Sequence, residues 1–217
     1  MKSLFKIFLR PLSKEAMIQK LPNGSKVLDV GCGNNSLTRL SRLNRKIKYY
    51  GIDIVPSPPN LEFVVLESSD VEFAADIKKF GTKFDLIVSS HNIEHVRDRR
   101  ATFDSMCAML ADNSLLFLSF PCKVSTRFPS MHGTLNYFDD DTHRGIPPNP
   151  KEILGWAAIN NLHPLEIRYR YRPIFLWIIG LISLPLAILL KKKLIGTWEF
   201  FGFETILIFR KDGKNDT

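Results

Sequence analysis

Apolar residues fall in short blocks along the chain, separated by polar stretches of helical length. Five blocks, at residues 26–31, 49–55, 63–66, 84–89 and 115–120, are rich in β-branched and aromatic side chains. Continuous apolar runs of this length are the mark of strands buried on both faces. Between them, residues 36–43, 72–80 and 98–110 have the length and composition of helices. The alternation predicts an α/β fold: a doubly wound, mostly parallel sheet with helices on both faces. Asn149-Pro150 opens a further helix running to Leu162, with proline at a favourable first position and Gly155 as a weak point. Residues 163–169 and 203–209 supply two last strands, for seven in all, and these two are expected to be antiparallel. No internal repeat is present.

Two apolar stretches stand outside this pattern. Residues 173–190 contain no charge over 18 residues, with Arg168, Arg170 and Arg172 before them and Lys191, Lys192 and Lys193 after. The length just suffices for a membrane span. However, the strands on either side belong to one sheet, and a single crossing would leave them on opposite sides of a bilayer. Both flanks are equally basic, so neither orientation is favoured. With Gly180 and Pro185 as bend points, the expectation is a bent or paired helical insertion between the last two strands. It would lie on or dip into one leaflet, with the basic flanks on anionic headgroups and Trp177 and Trp198 near the interface. A buried lid or a dimer contact is the alternative. At the start of the chain, Lys2, Lys6 and Arg10 alternate with Leu4, Phe5, Ile7, Phe8 and Leu9. This is a basic amphipathic helix, docked either on its own domain or on a membrane interface, and it lacks the features of a secretory signal.

The chemistry-bearing pattern begins at the end of the first strand. In Val27-Leu-Asp-Val-Gly-Cys-Gly33, Gly31 and Gly33 permit a tight turn and a close approach of ligand to backbone before the next helix. No lysine follows as in a P-loop, and Ser36 stands where a dinucleotide fingerprint would have its third glycine. Asp53, at the tip of the second strand, is placed to accept hydrogen bonds from ribose hydroxyls in either case.

These residues resemble class I S-adenosylmethionine-dependent methyltransferases. The likeness extends over residues 26–122, through Glu67-Ser-Ser-Asp70 after the third strand and the segment from Phe84 to His95. The resemblance implies S-adenosylmethionine as cofactor. Asp29, Gly31, Cys32 and Gly33 would face its methionine part, Asp53 its ribose, Ile54 and Asp70 its adenine, with Ser89 and His91 near the methionine end. The organisation is then an N-terminal helix over 1–22, a methyltransferase domain over 23–172, the apolar insertion over 173–200, and a last strand and tail over 201–217.

Charge and cysteine usage narrow the partners. Residues 1–50 carry 11 basic and 2 acidic side chains, residues 51–150 carry 9 and 14, and residues 151–217 carry 10 and 6. Positive charge thus gathers beside the apolar runs, while the middle segment, which holds Asp53 and Asp70, is acidic and suits a cationic sulfonium. That distribution argues for a membrane surface and against nucleic acid. Cys32, Cys107 and Cys122 form no CxxC pair and are expected to be reduced structural thiols, which points to the cytoplasm.

The string His91-Asn-Ile-Glu-His95 matches the H-x-x-E-H of inverted zinc proteases. Because a strand precedes it, His91 is expected at the strand tip and His95 a turn later, so the two would not share an ion, and no metal is expected. If the acceptor is a hydroxyl, a base must take its proton. The segment His132 to Arg144 lies where this fold places acceptor-binding elements, and Phe138-Asp-Asp-Asp-Thr-His143 resembles a stretch common in bacterial methyltransferases of surface-polysaccharide and glycolipid assembly. His143 is the candidate base, with Asp141 or Asp140 orienting it. The reading that follows is an O-methyltransferase on the inner membrane face, acting on a lipid-linked saccharide. A quinone or other lipid-like acceptor, or a non-catalytic scaffold, are the alternatives.

Overall fold

The computed structural model describes residues 7–34, 36–55 and 63–213. Its strands are β1 (Lys26–Val30), β2 (Lys48–Asp53), β3 (Val64–Glu67), β4 (Phe84–Ser90), β5 (Leu110–Pro121), β6 (Leu162–Arg168) and β7 (Glu204–Lys211). They form one sheet in the order β3-β2-β1-β4-β5-β7-β6. The first five are parallel, and β7 runs antiparallel between β5 and β6. The strand order reverses between β1 and β4, and the crevice beyond the strand ends at such a switch point is where open α/β sheets bind ligands. The register places Val30 opposite both Ile52 and Ser89, so the ends of β1, β2 and β4 converge there.

Alternation along each strand explains the continuous apolar runs. Leu28, Val30 and Ile87 face one layer, where Phe73, Phe103, Met106 and Ile153 pack on them. Val27, Leu86 and Val88 face the other, under Ile18, Leu37 and Leu40. Both faces are therefore covered, as a parallel sheet requires. The helices are α1 (Lys14–Gln19), α2 (Ser36–Ser41), α3 (Phe73–Asp76), α4 (Arg99–Met109), α5 (Pro150–Ile159), α6 (Ile174–Leu189) and α7 (Thr197–Phe201).

Four expectations are corrected. The helix expected over residues 72–80 is α-helical only through Asp76. It tightens to a 3-10 turn over Ile77–Phe80 and stops at Gly81, which holds φ +61°. The single helix expected over 1–22 is broken among the described residues: residues 7–9 are helical, the chain opens around Pro11, and α1 restarts behind the Ser13 cap. Residues 1–6, with Lys2, Leu4, Phe5 and Lys6, lie outside the described residues. Arg10, expected on a polar helix face, turns inward onto Glu204 and Glu199. Finally, Trp198 is not at an outer surface. Its indole donates to the Thr134 carbonyl at 2.6 Å and its ring stacks on Phe203 with centroids 4.6 Å apart.

Helix α6 has 16 residues, about 24 Å at ~1.5 Å per residue, and no helix among the described residues is long and apolar enough to cross a membrane. The chain leaves it through Lys191 and Gly196, both at positive φ, and folds back as α7. A Cβ on Gly180 would lie 2.1 Å from the Gly196 carbonyl oxygen, so only glycine permits this approach. Trp177 stacks on Phe200 with centroids 6.0 Å apart, and Ser183 donates to the Ile195 carbonyl at 3.0 Å. The outer side of α6 remains uncovered: Ile174, Phe175, Ile182, Leu186 and Leu189 are exposed, and Phe8 extends the apolar area with its ring 5.3 Å from Phe175.

Candidate functional site

At the end of β1 the chain turns through Gly31 (φ +79°) and Gly33 (φ +54°). The amides of Gly31 and Cys32 both donate to the Ile52 carbonyl, which ties the loop to the neighbouring strand. A Cβ on Gly31 would fall 2.5 Å from the Asn92 side chain, so glycine is needed there for space as well as for φ. Asp53 takes the Gly33 amide at 2.7 Å on one oxygen and the Val55 amide at 2.9 Å on the other. A carboxylate offers about four lone-pair sites, so capacity for two further donors remains. Asp29 is fully buried, accepting from Lys14 Nζ at 3.2 Å and from Ser36 Oγ at 2.5 Å.

The turn and the Lys14 and Ser36 side chains border a crevice of about 590 Å³ lined by Lys14, Gly31, Cys32, Gly33, Ser36 and Ser90, among others. Against it lies a chamber of about 240 Å³ that shares Lys14, Arg39 and Ser90 and adds Arg10, His91, Phe117, Trp198 and Glu204. The donor set fits S-adenosylmethionine. Asp53 offers free lone pairs for ribose hydroxyls, the Lys14 ammonium a partner for the amino-acid carboxylate, Asp29 one for the ammonium, and the Gly31–Gly33 turn leaves the backbone open to close approach.

His91 occupies the junction in a left-handed conformation (φ +51°). Its Nδ1 lies 3.2 Å from Glu94 Oε1 and its Nε2 3.2 Å from Glu204 Oε1, and its ring lies 5.1 Å from that of Trp198. Burial alone would lower the imidazole pKa, but the hydrogen bonds to Glu204 and Glu94 and their negative charge outweigh it and raise the value to about 9. Burial likewise opposes ionisation of Glu204, yet Arg10 and His91 hold its carboxyl down to about 2. At neutral pH the chamber wall is thus a fixed ion network, and His91 is an imidazolium with both N–H groups committed.

The structure places Gly31, Cys32 and Gly33 on the wall of one crevice, with Asp53 behind the turn on the Gly33 amide, Asp29 buried beneath Lys14 and Ser36, and His91 in the adjoining chamber. Ser89 is fully buried beneath the turn, and Ile54 is half exposed at the end of β2. Asp70 is held by Arg144 at 2.9 Å. The grouping expected around His143 is corrected. Its Nδ1 donates to the Tyr137 carbonyl at 2.5 Å, and its ring stacks on Tyr137 with centroids 4.3 Å apart. Asp140 lies 3.9 Å from Nε2, beyond hydrogen-bond range, because Thr142 claims its carboxylate through both amide and hydroxyl. Asp141 is exposed, and His143 lines neither cavity. Asp139 is turned inward. It accepts from the amides of Met131, Leu135 and Asn136 as part of a capping box, and these bonds hold its pKa low against the opposing effect of burial.

Sequence reasoning missed Lys14, Arg10, Glu204 and Trp198 as site residues. Glu204 had a signal, a charge opening the otherwise apolar strand 203–209. Arg10 and Lys14 had none, since only the tertiary fold carries them to the sheet end.

A family model described as a methyltransferase domain matches residues 5–163. A ubiquinone biosynthesis O-methyltransferase of Actinobacillus pleuropneumoniae is 26% identical over 186 residues, covering 76% of this chain and 79% of that protein. Among solved structures, an S-adenosylmethionine-dependent methyltransferase from Mesorhizobium loti superposes with a TM-score of 0.61 at 13% identity, over 91% of this chain and 95% of that one. The N-methyltransferase NodS from Bradyrhizobium japonicum, in complex with S-adenosyl-L-homocysteine, gives 0.55 at 14% identity, over 91% and 85%. At these identities the structures show the shared fold.

Proposed function

Because the chain belongs to the methyltransferase domain family, we propose that it moves the methyl group of S-adenosylmethionine onto a hydroxyl in the head of a lipid-borne acceptor. When bound, the cofactor supplies a methyl group on a cationic sulfur, open to in-line displacement. The chain's own work is alignment and exclusion of water. Asp53 fixes the ribose, Lys14 and Asp29 hold the amino-acid end, and the Trp198 ring above His91 provides a flat wall for an acceptor ring. His91 stays protonated between Glu94 and Glu204 and is not the base; the acceptor hydroxyl gives its proton to solvent at the mouth of the site as the methyl arrives and S-adenosyl-L-homocysteine leaves, while His91 holds that wall and its field in place.

The observation that carries the lipid-borne acceptor is the uncovered face of α6. Its exposed apolar side chains sit between Arg168, Arg170 and Arg172 on one side and Lys191 to Lys193 on the other, the arrangement of an interfacial helix on an anionic leaflet. The turn after α6 leads directly to Trp198, with Lys193 Nζ 3.7 Å from the indole centroid. The membrane-facing element and the acceptor chamber are therefore one structural unit. A saccharide and a phenol both meet the ring requirement. The 137–144 segment is the reason to test the first, and the name of the Actinobacillus relative the reason to test the second.

The double variant Ile182→Asp/Leu189→Asp places charge on two positions that are 75% and 78% exposed, so the fold should be kept. It is expected to lose co-sedimentation with anionic vesicles and transfer of labelled methyl to lipid-extracted acceptors, while its affinity for S-adenosylmethionine stays at the wild-type value. Undiminished vesicle binding and lipid methylation would refute the membrane part of the proposal.

A further inference from the structure

We propose that Glu94, His95 and His143 form a binding site for one divalent first-row transition ion of the zinc class. One ligand atom from each residue lies within 4.8 Å of the others. Glu94 is fully buried, and while its Oε1 meets His91, its Oε2 has no hydrogen-bond partner among the described residues. A buried carboxylate oxygen without a partner is costly, and a cation at this point would offset the cost.

The two histidines are oriented as ligands. His143 Nδ1 donates to the Tyr137 carbonyl. Thr142 Oγ1 donates to Asp140 at 2.6 Å, and so receives the Nδ1 proton of His95 at 2.9 Å. Both imidazoles thereby carry a proton on Nδ1 and commit that nitrogen, leaving Nε2 as the ligating atom, which is the arrangement that second-shell carbonyls and hydroxyls impose on metal-binding histidines. The rings approach to 4.7 Å between centroids, and the His143 side chain is only 5% exposed. Two imidazoles and one carboxylate suit zinc, cobalt or iron(II), whereas magnesium wants oxygens. Asp140, at 3.9 Å from His143 Nε2, is near enough to complete the shell. The H-x-x-E-H string thus contributes its Glu and second His, while His91 spends both nitrogens on carboxylates and takes no part. An ion here would tie the segment after β4 to the loop carrying His143.

The test uses chelator-treated full-length protein titrated with Co²⁺, followed by visible d–d absorption, and with Zn²⁺ by calorimetry. One equivalent should bind, Zn²⁺ should displace Co²⁺, and the melting temperature should rise with Zn²⁺. His95→Ala and His143→Ala should each weaken Zn²⁺ binding by about 100-fold or more, and Thr142→Ala by about 10-fold, in variants whose circular dichroism is unchanged. His163→Ala, at the remote Asp212 pair, should bind as wild type. No Co²⁺ or Zn²⁺ uptake at micromolar concentration, uptake of Mg²⁺ in preference to Zn²⁺, or undiminished uptake in the two histidine variants would each overturn the proposal. Glu94 also meets His91 in the adjoining chamber, but none of the three ligands lines the cofactor crevice, so titration of the chelated protein with S-adenosylmethionine reports on the methyltransferase reading independently.

Discussion

Asp53→Ala is expected to weaken S-adenosylmethionine binding by about 100-fold or more. The carboxylate serves two ends at once: it holds the Gly33 and Val55 amides, which set the path of the glycine turn, and it keeps lone pairs for the ribose. Hydrogen bonds to a charged group contribute about 1.5–3 kcal/mol each. Losing two costs about 3–6 kcal/mol, and tenfold in affinity corresponds to about 1.4 kcal/mol. Asp53→Asn keeps one acceptor oxygen and loses the charge, so a loss of about tenfold is expected. Calorimetric titration with the cofactor, on variants shown to be folded, separates the cases. Affinity within twofold of wild type in Asp53→Ala would remove the crevice from the account.

The second large effect concerns stability. His91→Ala would leave Glu94 and Glu204 facing a buried gap, with Arg10 shared between Glu204 and Glu199. Removing one partner of a buried ionic network costs about 3–5 kcal/mol. At ~2–4 °C per kcal/mol for a chain of this size, the melting temperature should fall by about 6–20 °C near pH 6. The pH dependence follows from the direction of each shift. The folded pKa of His91, about 9, lies above the ordinary value, so its stabilisation is complete below about 6.5 and is lost as pH rises through 9. The folded pKa of Glu204, about 2, lies below the ordinary value, so its contribution is present above about 4.3 and fades as pH falls through 2. The gap between wild type and His91→Ala should therefore be widest between about pH 4.5 and 6.5 and narrower at alkaline pH. A gap that is constant or wider at alkaline pH would show that His91 is not the cation described.

Much of the sheet was legible because a strand buried on both faces writes an uninterrupted apolar run, and five such runs occur, whereas the edge strand β6 is largely exposed and carries His163, Glu166 and Arg168. The Gly31–Gly33 turn and Asp53 were legible for a related reason: backbone conformation and strand-end position are local properties. What the sequence hid is long-range. Arg10 meets Glu204 across the whole chain, and no local pattern announces it. Trp198 was placed at a membrane from its neighbours' composition, yet the Gly180–Gly196 contact folds its helix back toward His91. Asp139 is turned inward by the Asn136 capping box, which the sequence reading did not pick out. The sequence pairs His143 with Asp140 or Asp141 as a base, but its ring is oriented by the Tyr137 carbonyl, a partner no side-chain pattern encodes. Pro11, by contrast, was visible, and the break in the N-terminal helix follows from it.

The most direct test of the central claim is a crystal structure of the protein grown with S-adenosyl-L-homocysteine. The account predicts the nucleoside in the crevice beyond β1 and β2, its ribose hydroxyls on Asp53, its amino-acid end between Lys14 and Asp29, and its sulfur directed toward the chamber of His91 and Trp198. A crevice still closed by the Lys14–Asp29 pair, with the nucleoside bound elsewhere or not at all, would contradict it.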